Sequence, residues 1–291
     1  MRFLIADAFT KELFGGNPAG IVLIPDGSDW PACEVMKKTA AELRYSETAF
    51  IKRLSEKEFK LRYFTPEGEI DLCGHATIAS FYALMKLGYL APGDTAFAHT
   101  NVGKLEINVS SDFVMMEMGK PALINVIEDE DALVELCRVL GISWHDKGTG
   151  YKPQIIATGI PDILVPVDSL ETLNSLKPDF DAVTDLTKKY DAVSIHAFTL
   201  ESFAGETAHA RDFAPLYGIP EEAATGTASG ALAYWFYLNK INEPNAKSRI
   251  IQGEAMGRPS EILTETTETP DGIRVKVGGS AAILAQGEIN I

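Results

Sequence analysis

The chain has 291 residues, of which 46% are hydrophobic and 23% are charged. This composition is typical of a folded globular protein and excludes an intrinsically disordered chain. Lys and Arg total 26 against 41 for Asp and Glu, which gives a formal net charge of −15. Because so negative a chain repels phosphate backbones and anionic lipid surfaces, we expect neither nucleic acid nor a membrane as a partner.

The first residues and the cysteines indicate a cytoplasmic protein. The apolar run after Met1 is interrupted at Asp7, well short of the apolar core of a signal peptide. Cys33, Cys73 and Cys137 are widely spaced, so they suggest neither a disulfide framework nor a zinc site. We therefore expect a reduced, cytoplasmic protein without a bound metal.

The first half of the chain is predicted to contain short strands around one buried helix. The predicted strands are Phe3–Ala6, Ile21–Ile24, Glu47–Ile51, Phe59–Phe64, Leu105–Val109 and Val114–Met118. Between them, Ala76–Leu87 is apolar on every side and too short to cross a bilayer. A helix without a polar face must be enclosed, and in a domain of short strands we expect a curled sheet to wrap around it.

The second half repeats this plan after an acidic helix at Asp129–Gly141. Its predicted strands are Gln154–Ala157, Ile163–Pro166, Ala192–Thr199 and Thr207–Phe213, and its buried helix is Ala228–Leu238. The polar stretch Asp168–Tyr190 is assigned neither a strand nor a helix. Two late strands, Ile273–Val277 and Ala281–Gln286, are compatible with a position in either half.

A repeated pentapeptide relates the two halves. Arg62–Pro66 reads RYFTP, and Arg211–Pro215 reads RDFAP 149 residues later. So long a period predicts a duplicated domain, since solenoid repeats span about 20–50 residues. The predicted fold class is α+β, with two similar domains at 1–120 and 121–291. Each is a curled, mostly antiparallel, barrel-like sheet around a central helix, and we expect the active site in the cleft between them.

The strongest chemical signal lies where the two apolar helices begin. Gly74 and His75 open the first helix, and Gly226 and Thr227 open the second. Unpaired N–H groups and the positive end of the helix dipole favour an anion there, so we expect a substrate carboxylate. The dipole also favours a neutral His75 that relays a proton. A capping or packing role is the alternative for both turns.

Three further positions are candidates for chemistry, each with a plainer alternative. Glu47 heads an apolar strand, and partial desolvation is expected to raise its pKa towards that of a general base, unless it is simply solvated. Cys73 is either a thiolate activated by the helix terminus or a buried, unreactive thiol. Glu221 and Glu222 form a carboxylate pair near the second turn or a solvated face. The sequence has no nucleotide-binding glycine motif, so we expect no nucleotide cofactor.

These motifs, in this order, resemble the PhzF-like family, which is named for an isomerase of phenazine biosynthesis. The matching segments are Asp7–Phe9 (DAF), Gly16–Gly20 (GNPAG), Ser46–Phe50 (SETAF), Cys73–Thr77 (CGHAT) and Glu221–Ala228 (EEAATGTA), with a Gly-Gly-Ser at Gly278. The resemblance spans nearly the whole chain. It implies two domains of the diaminopimelate-epimerase type, a homodimer, and no metal or organic cofactor.

The resemblance also implies residue roles. The glutamate matching Glu47 shuttles a proton between two carbons of a small cyclic carboxylate, and the histidine matching His75 assists it. Glu222 stands where the family has an aspartate, and it is expected to position the substrate or relay a proton. The implied substrate-binding residues are Asn17, Cys73, Gly74, Gly226 and Thr227.

The second motif departs from the family pattern Glu-Asp-Pro-Ala-Thr-Gly-Ser. Glu222 replaces the aspartate, Ala223 the proline and Thr227 the serine. The longer carboxylate moves by about one C–C bond, which is enough to change the substrate that is oriented well. The identity of the substrate therefore stays open.

We predict a cofactor-independent isomerase that moves a proton on a small carboxylate-bearing substrate. One alternative is an amino-acid epimerase or racemase that uses Cys73. Enzymes of that kind with this fold oppose two cysteines, and Thr225 stands at the second position, where a hydroxyl is a weak base. The other alternative is a non-catalytic protein that binds a small ligand or a partner.

Overall fold

The computed structural model describes residues 1–143 and 149–291, and these form two compact units. Unit 1 comprises Met1–Glu117 and Gly278–Ile291, whereas unit 2 comprises Met118–Val277. The last segment of the described chain therefore belongs to unit 1. Within the described ranges, every helix is too short or too polar to cross a membrane.

The strands and helices follow one another closely along the chain. Up to residue 143 they are β1 (Arg2–Ala8), β2 (Asn17–Ile24), α1 (Cys33–Leu43), β3 (Thr48–Arg53), β4 (Glu58–Phe64), β5 (Glu69–Ile70), α2 (Gly74–Lys86), β6 (Thr95–Thr100), β7 (Gly103–Val109), β8 (Val114–Glu117), β9 (Ala122–Val126) and α3 (Glu130–Val139). From residue 149 they are β10 (Gln154–Ala157), β11 (Pro161–Pro166), α4 (Leu170–Ser175), α5 (Phe180–Lys189), β12 (Ser194–Thr199), β13 (Ala208–Ala214), β14 (Ile219–Glu222), α6 (Gly226–Leu238), β15 (Lys247–Gln252), β16 (Ser260–Thr269), β17 (Gly272–Gly279) and β18 (Ala281–Glu288).

The two units share one pattern of strand pairing. In unit 1 the pairing runs from β18 through β1, β2, β3, β4 and β6 to β7. In unit 2 it runs from β9 through β10, β11, β12, β13 and β15 to β16. In both series the third and fifth pairs are parallel and the others antiparallel. The prediction of two similar, mostly antiparallel domains is confirmed.

Each unit encloses one apolar helix, as the sequence predicted. In α2, 10 of the 13 residues are buried, and in α6, 9 of the 13 are buried. Neither helix has a polar face with which to meet solvent, so both must be covered by the surrounding strands. Burial of these side chains is the main source of stability for each unit, because the hydrophobic effect scales with the apolar area removed from water.

Amphipathic helices cover the other side of each sheet. In unit 1, α1 packs Met36 and Ala40 against Phe50 and Phe64. In unit 2, α3, α4 and α5 pack against strands β10 to β13. Two of these helices, α4 and α5, lie inside the polar stretch for which no element was predicted. Ser169 and Asp179 cap their first turns by accepting backbone N–H bonds, which is the usual role of these residue types.

The repeated pentapeptide forms the same clamp in both units. Arg62 in β4 makes two hydrogen bonds to Glu69 in β5, of 2.7 and 2.5 Å. Arg211 in β13 makes two to Glu221 in β14, both of 2.8 Å. Each guanidinium also lies over the phenylalanine two residues later, at 5.3 and 5.0 Å from the ring centre. The clamp ties each strand to the short strand that leads into the buried helix, and so fixes where that helix begins.

Candidate active site

A buried cluster of three reactive side chains lies at the N-terminus of α2. Glu47 directly precedes β3, Cys73 is the residue before α2, and His75 is the second residue of that helix. His75 Nε2 lies 3.2 Å from Glu47 Oε2, and Cys73 Sγ lies 3.5 Å from His75 Nδ1. The exposed fraction is 6% for Glu47 and Cys73 and 4% for His75. The predicted residues Glu47, Cys73 and His75 therefore meet in one place with little access to water.

Asn17 reaches the same histidine from the start of β2. Its Nδ2 lies 3.2 Å from His75 Nδ1. In this orientation the amide donates to a neutral ring, and a half-turn of the amide presents Oδ1 as an acceptor for imidazolium. Asn17 can thus hold His75 in either charge state.

Gly16 places Asn17 through a backbone conformation that other residues rarely adopt. Its φ is +60°, and a Cβ atom there would lie 2.1 Å from Ala8 O. The carbonyl belongs to β1 and cannot move without disturbing the sheet. Glycine is therefore required at this position by both the dihedral angle and the available space.

We predict that Gly16→Ala destabilises unit 1 more than Gly27→Ala. Both glycines have positive φ, but a Cβ at Gly27 would meet nothing within 4 Å, so the pair separates the clash from the dihedral cost. Gly27→Ala is expected to cost about 1 kcal/mol, and overpacking at Gly16 adds about 1–3 kcal/mol. Urea unfolding of both variants measures the difference, and equal losses would contradict the argument.

Glu47 and His75 shift each other's pKa strongly. Burial raises the pKa of Glu47, but the charge and hydrogen bond of His75 outweigh burial and leave the pKa below its ordinary value. Burial lowers the pKa of His75, but Cys73 and Glu47 beside the ring raise it well above its ordinary value. The pair is therefore a carboxylate and an imidazolium at neutral pH. The expectations of a raised Glu47 pKa and a neutral His75 were wrong, because each group is the other's counter-ion.

Cys73 remains a thiol at neutral pH. Burial raises its pKa to about 11, and the Glu47 carboxylate adds to the increase while His75 opposes it. The position at the helix N-terminus does not compensate for the loss of solvent. Of the two readings of this cysteine, the buried and weakly reactive thiol fits the structure better than the activated thiolate.

The same three side chains are also a set of metal donors. One ligand atom from each of Glu47, Cys73 and His75 lies within 4.8 Å of the others. A carboxylate, a thiolate and an imidazole together suit a zinc-like ion. Metal binding would require loss of the thiol proton and of the imidazolium proton, so it competes with the ion pair that the free side chains form.

In unit 2, Thr225 precedes α6 as Cys73 precedes α2, but its hydroxyl is already engaged. Thr225 Oγ1 donates to Glu222 Oε2 at 2.6 Å and accepts from Gln252 Nε2 at 3.2 Å. The structure therefore directs this hydroxyl to Glu222. Gln252 also binds the backbone of both residues, through Thr225 N and Glu222 O, and so holds the segment before α6.

The first turn of α6 has no side-chain cap among the described residues. Because the Thr225 hydroxyl is bound to Glu222 and Gln252, it does not cap the N–H groups at Gly226 and Thr227. These N–H groups lie at the N-terminus of the helix, where a ligand can accept from them. Glu221, the other member of the predicted carboxylate pair, is bound to Arg211 and has a structural role. Of the predicted site residues, Glu222, Gly226 and Thr227 thus lie together in unit 2. Asn17 and Gly74 lie with the Glu47 cluster in unit 1.

Gln252 is the site residue that sequence reasoning missed. It lies at the end of β15 and is fully buried, yet it is 27 residues from Thr225 and belongs to no motif. The only signal that could have found it is its polar side chain in an otherwise alternating strand, which by itself does not identify a partner.

Comparisons with known proteins agree on one family. The family model described as phenazine biosynthesis-like protein (PhzC-PhzF) matches residues 6–287. An uncharacterized isomerase of Clostridium acetobutylicum is 35% identical and covers 97% of this chain and 96% of its own. The trans-2,3-dihydro-3-hydroxyanthranilate isomerase of Pseudomonas aeruginosa is 28% identical over 98% of both chains. A PhzF-family phenazine biosynthesis protein of Bacillus anthracis has a crystal structure that matches with a TM-score of 0.89 at 27% identity, over 100% of this chain and 99% of that one.

Proposed function

We propose, since the chain belongs to the phenazine biosynthesis-like (PhzC-PhzF) family and is an isomerase of that family, that Glu47 moves a proton between two carbons of a small carboxylate-bearing substrate. The observation that carries the proposal is the buried pair of Glu47 Oε2 and His75 Nε2 at 3.2 Å. It places a proton acceptor, Glu47, beside a positive charge, His75, in a site with little water. Removing a proton from carbon needs both a base and a group that stabilises the negative charge that develops.

In the proposed reaction Glu47 acts first as a base and then as an acid. The carboxylate takes a proton from one carbon of the substrate, and the electron pair of that C–H bond delocalises into the adjoining unsaturated system. Imidazolium at His75 stabilises the developing negative charge, since a fixed positive group acts strongly in a dry site. Glu47 then returns the proton to a second carbon. No electron leaves the substrate, so an isomer is the only product.

The proposal assigns the substrate carboxylate to the helix N-termini. The N–H groups at Gly226 and Thr227 of α6 are suited to bind an anion, and so, separately, is the N–H group at Gly74 of α2. Glu222, held by Thr225, orients a polar group of the substrate or relays a proton. The proposal includes the homodimer and the cofactor-free reaction that the family resemblance implies.

The epimerase alternative requires Cys73 as a thiolate. With a pKa of about 11, the thiol ionises little at neutral pH. The residue at the equivalent position in unit 2 is Thr225, whose hydroxyl is bound to Glu222. A two-thiol mechanism therefore lacks one thiol and the charge on the other. These observations favour the glutamate over the cysteine as the base.

The proposal is tested by isotope exchange in deuterated water. The purified protein is mixed with a panel of small carboxylates that includes trans-2,3-dihydro-3-hydroxyanthranilate, the compound named for the Pseudomonas aeruginosa relative. We expect protein-dependent deuterium uptake at carbon for at least one compound, with an isomer as product. Tight binding without exchange across the panel would support the non-catalytic alternative instead.

We expect the pH dependence of this exchange to be broad. Glu47 must be ionised, and since its pKa is lowered, the acid limb should lie below the ordinary value of about 4.3. His75 must be protonated, and since its pKa is raised, activity should fall only well above about pH 6.5. Initial rates between acid and alkaline pH measure both limbs. A loss of activity centred near pH 6.5 would show that His75 is not paired with Glu47.

A further inference from the structure

Unit 2 contains a second group of titratable side chains that the proposed reaction does not use. Asp162 in β11, Ser194 and His196 in β12, and Asp212 in β13 all have an exposed fraction of at most 1%. Ser194 Oγ lies 2.9 Å from Asp162 Oδ1 and 2.7 Å from Asp212 Oδ1. His196 Nδ1 lies 2.9 Å from the same oxygen of Asp212. These four residues are called the buried network below.

The hydrogen count of the buried network requires a protonated carboxyl group. The Ser194 hydroxyl has one hydrogen and can donate to only one of the two aspartates. Its other close contact must then be a bond that it accepts, which requires a carboxylic acid O–H. When His196 carries its proton on Nδ1, Asp212 accepts from His196, and the remaining donor is Asp162. The chain of bonds runs from Asp162 O–H to Ser194 Oγ, and from Ser194 O–H to Asp212, with one negative charge on Asp212.

The surroundings of Asp162 support the same assignment. Burial, followed by the charge of Asp212, raises the pKa of Asp162 well above its ordinary value, and Glu222 adds to the increase while the Ser194 hydrogen bond opposes it. The carboxylates whose charges act on Asp162 are Asp212 and Glu222, and His196 is paired with Asp212. The strand β10 and the helix α6, which also pack on β11, contain no charged residue. No cation from these elements compensates a second carboxylate.

The buried network connects directly to the candidate site. Asp212 and Glu222 are opposite each other in the pairing of β13 with β14. At the corresponding place in the first copy of the repeat, the residue after Arg62 is Tyr63, and its hydroxyl bonds to Thr77 of α2 at 2.6 Å. Unit 1 therefore fills this position with a neutral group, and unit 2 has a charged network behind the strand that bears Glu222.

We propose that Asp162, Ser194, Asp212 and His196 form a proton-holding support for Glu222, with the proton on Asp162 and the negative charge on Asp212. Asp162 and Asp212 act as positioning residues, because they are buried and act through Glu222. Because Asp162 keeps its proton, only one negative charge, that of Asp212, lies behind Glu222. Glu222 can therefore ionise and accept the hydrogen bond of the Thr225 hydroxyl. The inference rests on the proposed function for the role of Glu222, but the protonation pattern is testable without any substrate.

The first test compares Asp162→Asn with the unmodified protein by urea unfolding at a series of pH values. Asp162 holds its proton when folded and loses it on unfolding, so it costs stability as pH rises from about 4 towards its folded pKa. Asparagine keeps the donor to Ser194 and removes that cost. We expect the stability of Asp162→Asn relative to the unmodified protein to grow with pH, with a slope of about one proton. Asp168→Asn, an exposed variant with the same charge change in unit 2, should show no such slope.

The second test reads the effect on Glu222 by carboxyl ¹³C NMR. Asp162 should show a protonated carboxyl signal at neutral pH. Asp162→Asn should leave the titration of Glu222 in place, since the charge behind it is unchanged, whereas Asp212→Asn should shift the Glu222 midpoint to lower pH. An Asp162→Asn protein that fails to fold, lacks the relative slope or shifts Glu222 would overturn the proposal. If no compound exchanges deuterium while both results hold, the proposed reaction fails and the buried network stands.

Discussion

Glu47→Gln is expected to lower deuterium exchange and isomerisation by about 10²–10⁴, the range that general acid–base catalysis contributes. Glutamine keeps the length of the side chain and an oxygen that accepts a hydrogen bond from His75, but it cannot take up a proton. The Gln amide also removes the counter-ion that raises the His75 pKa. Binding of a carboxylate ligand should be largely kept, so the loss should appear in kcat more than in KM. Steady-state kinetics with the compound found by the exchange screen measures this.

Two controls separate this role from general damage to the site. Cys73→Ser keeps a small polar group beside His75 and should change the rate little, because the thiol is not ionised at neutral pH. Glu42→Gln alters an exposed glutamate of α1 and should be silent. If Cys73→Ser is inactive while Glu47→Gln is active, thiol-based epimerisation replaces the proposed reaction.

Trp235→Ala is expected to destabilise unit 2 by about 3–5 kcal/mol, the usual cost of removing a large buried aromatic side chain. Trp235 is fully buried in α6. Its ring packs edge-on against Tyr151 at 5.0 Å and Phe198 at 4.8 Å between ring centres. Alanine leaves a cavity that Phe198 cannot fill without leaving its position in β12. Urea or thermal unfolding, monitored by circular dichroism, measures the loss.

The adjacent residue provides the matched control. Tyr234 is partly exposed and stacks on Tyr237 at 6.1 Å on the outside of the same helix. Tyr234→Ala removes a similar ring but should cost about 1 kcal/mol or less, as is common for sites away from the core. Similar losses for the two variants would mean that α6 is not the enclosed centre of unit 2.

Much of the fold was predictable because it depends on local patterns. The repeated pentapeptide and the two helices without a polar face predict a duplicated unit with an enclosed helix. In the structure the two units share one strand order, and each encloses one such helix. The helices α4 and α5 were missed because their apolar residues, such as Leu173, Val183 and Leu186, are spaced among polar ones. Their amphipathic pattern becomes evident only when the caps at Ser169 and Asp179 are recognised as starts.

The candidate site was predictable in its members but not in its charges. The segments Ser46–Phe50 and Cys73–Thr77 identify Glu47, Cys73 and His75, because each places a reactive side chain where a strand or a helix begins. Their protonation depends on the distances between side chains that lie up to 28 residues apart in sequence. The 3.2 Å between Glu47 Oε2 and His75 Nε2 leaves the pKa of Glu47 lowered, whereas burial alone would raise it. Gln252 was missed for a related reason, because its partners are fixed by the fold.

The pairing of β18 with β1 has a consequence for the order in which the units form during synthesis. Unit 2 is encoded between the two segments of unit 1, so every residue of unit 2 leaves the ribosome before β18 does. Until β18 emerges, one edge of β1 has no strand to bind, and an open strand edge favours pairing with other chains. The nascent protein therefore passes through a stage in which unit 2 is complete and unit 1 is not. Chaperone dependence and early aggregation should trace to the exposed edge of β1.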